Sequence, residues 1–345
     1  MRVAVLGGGP VGLTYAAMLL NNGHDVVVHS ASASTTDLHM EVQGAIEFSG
    51  LISLNTELAT AIDGADVLVC SRRASGVKEI IDQLVEIATP QQVIIFSAEL
   101  SLSSQYAALK LADAGRHNPI VSWSTTVATA QRRNPTLVVS GTLRDRIDYA
   151  VTNSDEPDQL HSLLIDLFGE RFHRLPNALA VALSNLNPPI HLANSLANLT
   201  RMEKGEDWDN YANITPAVGR LIEALDVERL ALARHLNLDV RNVHEHYLRT
   251  FPGLERASVS EMASQVAAAS PGTPGPKSID SRYLTEDIPF GLLPLLALAK
   301  QVEVPMPVHH AGILLASTYT GEDFFRQNMM LPHVEAHWSS IGAGR

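Results

Sequence analysis

The 345-residue chain has a single cysteine, Cys70. One thiol excludes an internal disulfide framework and fits a reducing compartment. Positive charge is also scarce, with 25 lysines and arginines against 37 aspartates and glutamates and a formal net charge of −12. No block of basic residues offsets that balance, which argues against nucleic acid or an anionic membrane as a partner. No apolar run reaches the ~18 residues of a membrane span. Arg2 and the apolar residues after it have the outline of a signal peptide, but glycines at 7, 8, 9 and 12 break the stretch in a pattern with its own explanation. The expectation is a cytoplasmic protein without membrane contact. No signature of disorder is present: hydrophobic residues are 46% and charged residues 18%, enough apolar area for packed cores. The length predicts two domains.

The β-branched run at 2–6 ends on glycine and reads as a buried parallel strand; residues 11–22 follow as a helix, stopped by Gly23. Further buried strands are predicted at 26–28, 66–70, 92–97 and 136–140, with a helix over 76–88. Strands alternating with helices imply a doubly wound parallel sheet covered on both faces. The pattern changes near residue 176, after which helical periods dominate. The clearest, 216–236, aligns Val218, Leu221, Ile222, Leu225, Leu232 and Leu236. The prolines of 270–276 predict a loop that can act as a lid. The chain therefore divides into a dinucleotide-binding α/β Rossmann domain over 1–176 and an all-α domain over 177–345.

The binding assignment rests on Gly7-Gly8-Gly9-Pro10-Val11-Gly12, a G-x-G-x-x-G pattern after a strand and before a helix. Gly7 makes the tight turn, Gly9 lets the backbone approach a pyrophosphate, and Gly12 lets helix and strand pack closely. Pro10 and Val11 open the helix whose N-terminus faces the anion. An acidic residue closing the second strand would hold the ribose 2′-hydroxyl of NAD, but here the strand runs out through His29, Ser30, Ser32 and Ser34. Small hydroxyl residues leave room for a 2′-phosphate and His29 can add charge, so NADP(H) is favoured over NAD(H), although no arginine stands beside them in sequence. Arg72 follows another buried strand and is a candidate for a pyrophosphate or a substrate carboxylate.

In the second half, Asn187 is placed to cap a helix opened by Pro188, with His191 in its first turn. Asn187, His191, Asn194 and Asn198 fall on one polar stripe, which suggests a wet cleft. A histidine beside a nicotinamide is a general acid–base, provided a carboxylate offsets the positive end of the helix dipole. Read alone, such a histidine is more often structural, and Glu286 and Asp287 can equally serve as charges at a helix start. The histidine pairs include one at ligand spacing, His333 and His337, with no third ligand evident, so no metal site is expected.

Together, the fingerprint, Asn-x-x-x-His at 187–191 and Arg-Tyr-Leu-x-Glu-Asp-Ile-Pro-x-Gly-Leu at 282–292 make the chain resemble the opine dehydrogenase (octopine/nopaline dehydrogenase) family. The segment 210–226 is also similar to that family's second domain. The resemblance implies NAD(P)H-dependent reductive condensation of an amino acid with an α-keto acid through an imine, giving an N-(carboxyalkyl) amino acid. It implies His191 as acid–base, Asp287 as its orienting partner, and Asn187, Asn194, Tyr211 and Arg282 around the substrate. A homodimer is expected as well. The strand end at 70–73 departs from the family, reading Cys-Ser-Arg-Arg where many relatives have small apolar residues and a proline. The alternatives are a ketopantoate reductase or β-hydroxyacid dehydrogenase, families that resemble each other in using a lysine early in the helical domain, and a dinucleotide sensor without turnover.

Overall fold

The computed structural model describes residues 1–270 and 272–341. Pro271 of the expected loop and the last four residues of the expected second domain lie outside that range. The chain forms two compact units that meet in sequence between Val181 and Ala182.

The first unit is built on an eleven-stranded sheet. Its strands are β1 (Arg2–Leu6), β2 (Asp25–His29), β3 (Asp37–Gly44), β4 (Phe48–Asn55), β5 (Val67–Cys70), β6 (Val93–Phe96), β7 (Ile120–Trp123), β8 (Ala128–Asn134), β9 (Leu137–Leu143), β10 (Ile147–Thr152) and β11 (Phe172–Arg174). Across the sheet they run β11-β10-β7-β6-β5-β1-β2-β4-β3-β9-β8. The six central strands, β7 to β4, are mutually parallel. At the edges β10 is antiparallel to β7, β3 to β4 and β8 to β9. The expected parallel sheet is thus a parallel core within a mixed sheet. Helices α1 (Pro10–Asn21), α2 (Leu58–Ile62), α3 (Val77–Ile87), α4 (Ser103–Asp113) and α5 (Pro157–Phe168) complete the unit.

The central strands are apolar on both faces; Val3, Ala4, Val5 and Leu6 of β1 are completely buried. Tyr15, Trp123, Phe168 and Phe172 pack edge-on and tilted around α1. The antiparallel pair β3–β4 gives no apolar run, because its exposed positions carry residues such as Asp37, His39 and Glu41 while Met40, Val42 and Ile52 face inward.

The second unit is helical. It follows α6 (Ala178–Ser184) with α7 (Asn187–Ala197), α8 (Leu199–Lys204), α9 (Pro216–His235), α10 (Val243–Thr250), α11 (Val259–Ala269), α12 (Arg282–Thr285), α13 (Leu293–Gln301), α14 (Pro307–Thr320) and α15 (Leu331–Ala336). The stripe of α9 faces the core as its period requires, with Val218, Ile222, Leu225 and Leu232 buried and Leu221 packed against them. Residues 272–276 form no helix, and Pro274 bridges to Asp209. Among the described residues no helix is long and apolar enough to cross a membrane.

Candidate active site

In the first unit the chain leaves β1 at Gly7, whose N–H donates to the His29 carbonyl at 3.0 Å. Its φ of +138° is one that side chains rarely adopt. Pro10 then opens α1. A Cβ at Gly12 would run into the Gly7 carbonyl, so glycine there sets how closely helix and turn approach. Nothing lies within 4 Å of a Cβ built on Gly9. The N–H groups of Val11 and Gly12 belong to the first turn and have no acceptor within the helix, as an anion site requires.

A Cβ on Gly8 would meet Ser30 Oγ at 2.6 Å, so Ser30 sits directly on the loop. Ser32 is exposed. Arg72 lays its guanidinium along Gly76 at the start of α3, 3.3 Å from a Cβ placed there. His29 behaves differently from expectation. It is buried, Nε2 faces the Thr56 carbonyl at 3.2 Å, and burial pushes its pKa down. A buried neutral imidazole adds no positive charge for a phosphate. A cation that sequence reading did not single out, Arg132, donates from Nη2 to the Gly8 carbonyl at 2.9 Å across 124 residues of chain.

In the second unit α7 packs against α12 and the segment after it. Leu186, rather than Asn187, is the cap of α7; Asn187 is its first residue, and its N–H donates to Asn185 Oδ1 at 3.1 Å. One turn on, His191 Nδ1 and Asp287 Oδ2 lie 2.6 Å apart, both side chains 12% exposed. With a carboxylate at that distance Nδ1 carries the proton, leaving Nε2 as the exchangeable nitrogen. Nε2 makes no hydrogen bond to a described residue. Tyr283 lies flat on the imidazole, centroids 3.5 Å apart and planes within 7°. Burial raises its phenol pKa, so the ring stays neutral. Tyr283 lies inside the 282–292 motif, four residues before Asp287, but the sequence reading gave it no role.

Backbone geometry supports this arrangement. Residues Asp287–Leu292 form a wide π-type turn, in which the Leu293 N–H reaches back to the Ile288 carbonyl. Pro289 has no N–H to continue an α-helix. Such turns re-aim side chains and recur at functional sites.

Other expected residues fall elsewhere. Asn194, 1% exposed, donates from Nδ2 to the Asn210 carbonyl and side chain, both at 2.9 Å. Asn198 donates in turn to the Asn194 carbonyl and Oδ1. This is a buried amide ladder, so the expected wet stripe ends at His191. Tyr211 packs edge-on against Tyr247 and Phe251. Arg282 is exposed beside Tyr283. The described residues contain no group of three histidines, cysteines or acids placed to hold a metal.

Residues 174–320 match the family of the NAD/NADP octopine/nopaline dehydrogenase alpha-helical domain, and residues 2–100 match the NAD-dependent glycerol-3-phosphate dehydrogenase N-terminus. Opine dehydrogenase from Arthrobacter sp. (strain 1C) is 29% identical over 346 residues, spanning 95% of this chain and 93% of its own. The fold is similar to that of octopine dehydrogenase solved with NADH and L-arginine, at a TM-score of 0.77 and 16% identity, covering 93% of this chain and 90% of the other. It is similar also to yersinopine dehydrogenase solved with NADP+, at 0.74 and 17%, covering 99% of both. With a relative spanning nearly its whole length and a match of residues 174–320 to the octopine/nopaline dehydrogenase helical domain behind a dinucleotide-binding half, the chain is similar to the opine dehydrogenases.

Proposed function

We propose that the protein is an NAD(P)H-dependent oxidoreductase acting on CH–NH bonds, which condenses the amine of an amino acid with an α-keto acid and reduces the resulting imine. The product is an N-(carboxyalkyl) amino acid. The observation that carries this reading is the His191–Asp287 pair, 2.6 Å apart at Nδ1, with Nε2 making no hydrogen bond to a described residue. Condensation needs a group that both takes and returns protons. His191 Nε2 accepts a proton from the amino acid's ammonium, freeing the lone pair that attacks the keto carbon. The same nitrogen returns the proton to the carbinolamine hydroxyl, which leaves as water, and the iminium remains. Asp287 fixes the imidazole tautomer and stabilises the charge that appears on the ring, while the Tyr283 face stacks on that ring. A nicotinamide dinucleotide, held by the glycine loop, would supply the hydride that reduces the iminium carbon. Asn187, one turn before His191, and the exposed Arg282 are assigned to the substrate, Arg282 as the partner of a carboxylate.

NADP(H) is favoured over NAD(H), supported by the absence of a carboxylate at the end of β2 and by Ser30 against the glycine loop. Gly7, Gly9, Pro10, Val11 and Gly12 hold the pyrophosphate, with Arg72 beside them. Asn194 and Tyr211, both engaged inside the helical unit, are assigned to shaping the pocket. We assign a cytoplasmic homodimer, supported by the lone buried Cys70 and by exposed Leu314, Leu315 and Tyr319 along α14. The lysine of the rival hydroxyacid chemistry finds no counterpart here, since Lys204 is exposed at the end of α8.

A matrix of amino acids and α-keto acids assayed for NADPH and NADH oxidation tests the reading. Oxidation is expected only when both partners are present. Oxidation with the keto acid alone would instead identify a hydroxyacid dehydrogenase, and none with any pair a sensor.

A further inference from the structure

We infer that Arg132 is the cation of the 2′-phosphate subsite, delivered to the end of β2 from a distant edge strand; this rests on the dinucleotide-binding reading above and deepens it. The β2 end has the hydroxyls of a phosphate site but no charge of its own: Ser30 and Ser32 are there, and His29 is buried and neutral. Strand β8 supplies the missing charge. It packs beside α1, and its approach is fixed at two points, one on that helix and one on the glycine loop before it. Near its start the Val127 N–H donates to Tyr15 OH at 3.1 Å. Near its end Arg132 donates from Nη2 to the Gly8 carbonyl at 2.9 Å and from Nη1 to the Pro135 carbonyl at 3.3 Å.

Gly8 joins Arg132 to Ser30. Its carbonyl holds Arg132, and its α-carbon lies so close to Ser30 that any Cβ would collide with that side chain. Arg132, Gly8 and Ser30 therefore form one corner, where the ribose edge of a dinucleotide lies in this fold. Two carbonyls orient the guanidinium and use two of its five N–H groups, leaving three donors. No carboxylate among the described residues lies within salt-bridge distance of it. Glu41 of β3, separated from β8 by β9, accepts from Gln43 Nε2 at 2.6 Å. An ordered guanidinium with no carboxylate partner, beside small hydroxyls, is suited to a phosphate monoester.

The test is titration of NADPH and NADH, followed by their fluorescence, against the full chain, Arg132→Gln and Arg132→Lys. Arg132→Gln is expected to weaken NADPH about 10–100-fold, as loss of charge-assisted hydrogen bonds does, and to leave NADH within about twofold. Arg132→Lys should recover part of the NADPH affinity. Retained NADH binding and an unchanged melting temperature show that the fold survives the substitution. Equal loss of both nucleotides would assign Arg132 to the pyrophosphate and overturn the inference. Unaltered NADPH binding would reduce the residue to a tie between hairpin and loop, and overturn it too. Failure of the unsubstituted chain to bind either nucleotide would instead remove the dinucleotide reading itself.

Discussion

His191 shares one hydrogen bond with Asp287 and one ring face with Tyr283, and these two contacts divide its work. In the proposed mechanism the first selects the nitrogen that exchanges protons, and the second holds the plane of the ring. Asp287→Asn keeps the shape but removes the charge and lets the amide hold either tautomer. We expect turnover to fall ~10²–10⁴-fold with NADPH affinity unchanged, read as kcat against a direct binding titration. A second titratable residue lies outside this chemistry. Glu99 follows β6, is buried, accepts from Ser103 and Ser104 through Oε1, and has its pKa raised by burial from 4.5 to about 7. The folded state therefore holds a proton that the unfolded chain releases above pH ~4.5. Stability from this group is complete below that value and is lost as pH rises toward 7. Glu99→Gln should flatten that decline, gaining on the order of 3 kcal/mol above neutrality, measured by urea unfolding across pH. Sequence reading paired His191 with Asp287, which lie in contact, because the motifs of the family that the chain resembles carry both. It misread Asn194 and Asn198, since helical spacing tells which residues share a face but not whether water reaches it.

At the scale of elements, a few buried charges tie helices together. Asp226 of α9 accepts from Arg229 and from the Val243 N–H that opens α10. Glu228 takes the Val308 and His309 N–H groups at the start of α14. Asp226→Ala leaves the fully buried Arg229 without its counter-charge and is expected to cost about 3–5 kcal/mol in chemical unfolding. Helices α1, α3 and α9 were legible because their apolar positions repeat with the helical period. Strands β1, β2, β5 and β6 were legible as short apolar runs. The pair β3–β4 and strand β8 were not, because a strand with one wet face alternates weakly and a polar edge strand gives no run at all. That blind spot hid Arg132. Likewise, the π-type turn at 287–292 is set by Pro289 within its tertiary setting, and the sequence alone announced only a helix start.

At the scale of the whole molecule, a chain of net charge −12 handles substrates and a cofactor that are themselves anionic. Long-range attraction cannot gather such ligands, so recognition falls to individually placed arginines and helix N-termini. Arg72, Arg132 and Arg282 are the arginines that the proposals above assign to these ligands. Which amino acid and which keto acid fit depends on pocket shape, a property that spacing along a chain does not encode. The reaction class does not depend on it. The most direct test is to follow deuterium from NADPH labelled at the reactive ring carbon, supplying an amino acid and an α-keto acid together and analysing the product by mass spectrometry. The label is predicted on the carbon joined to the new nitrogen of an N-(carboxyalkyl) amino acid. Label found instead in a 2-hydroxy acid, with the amino acid recovered unchanged, would contradict the account.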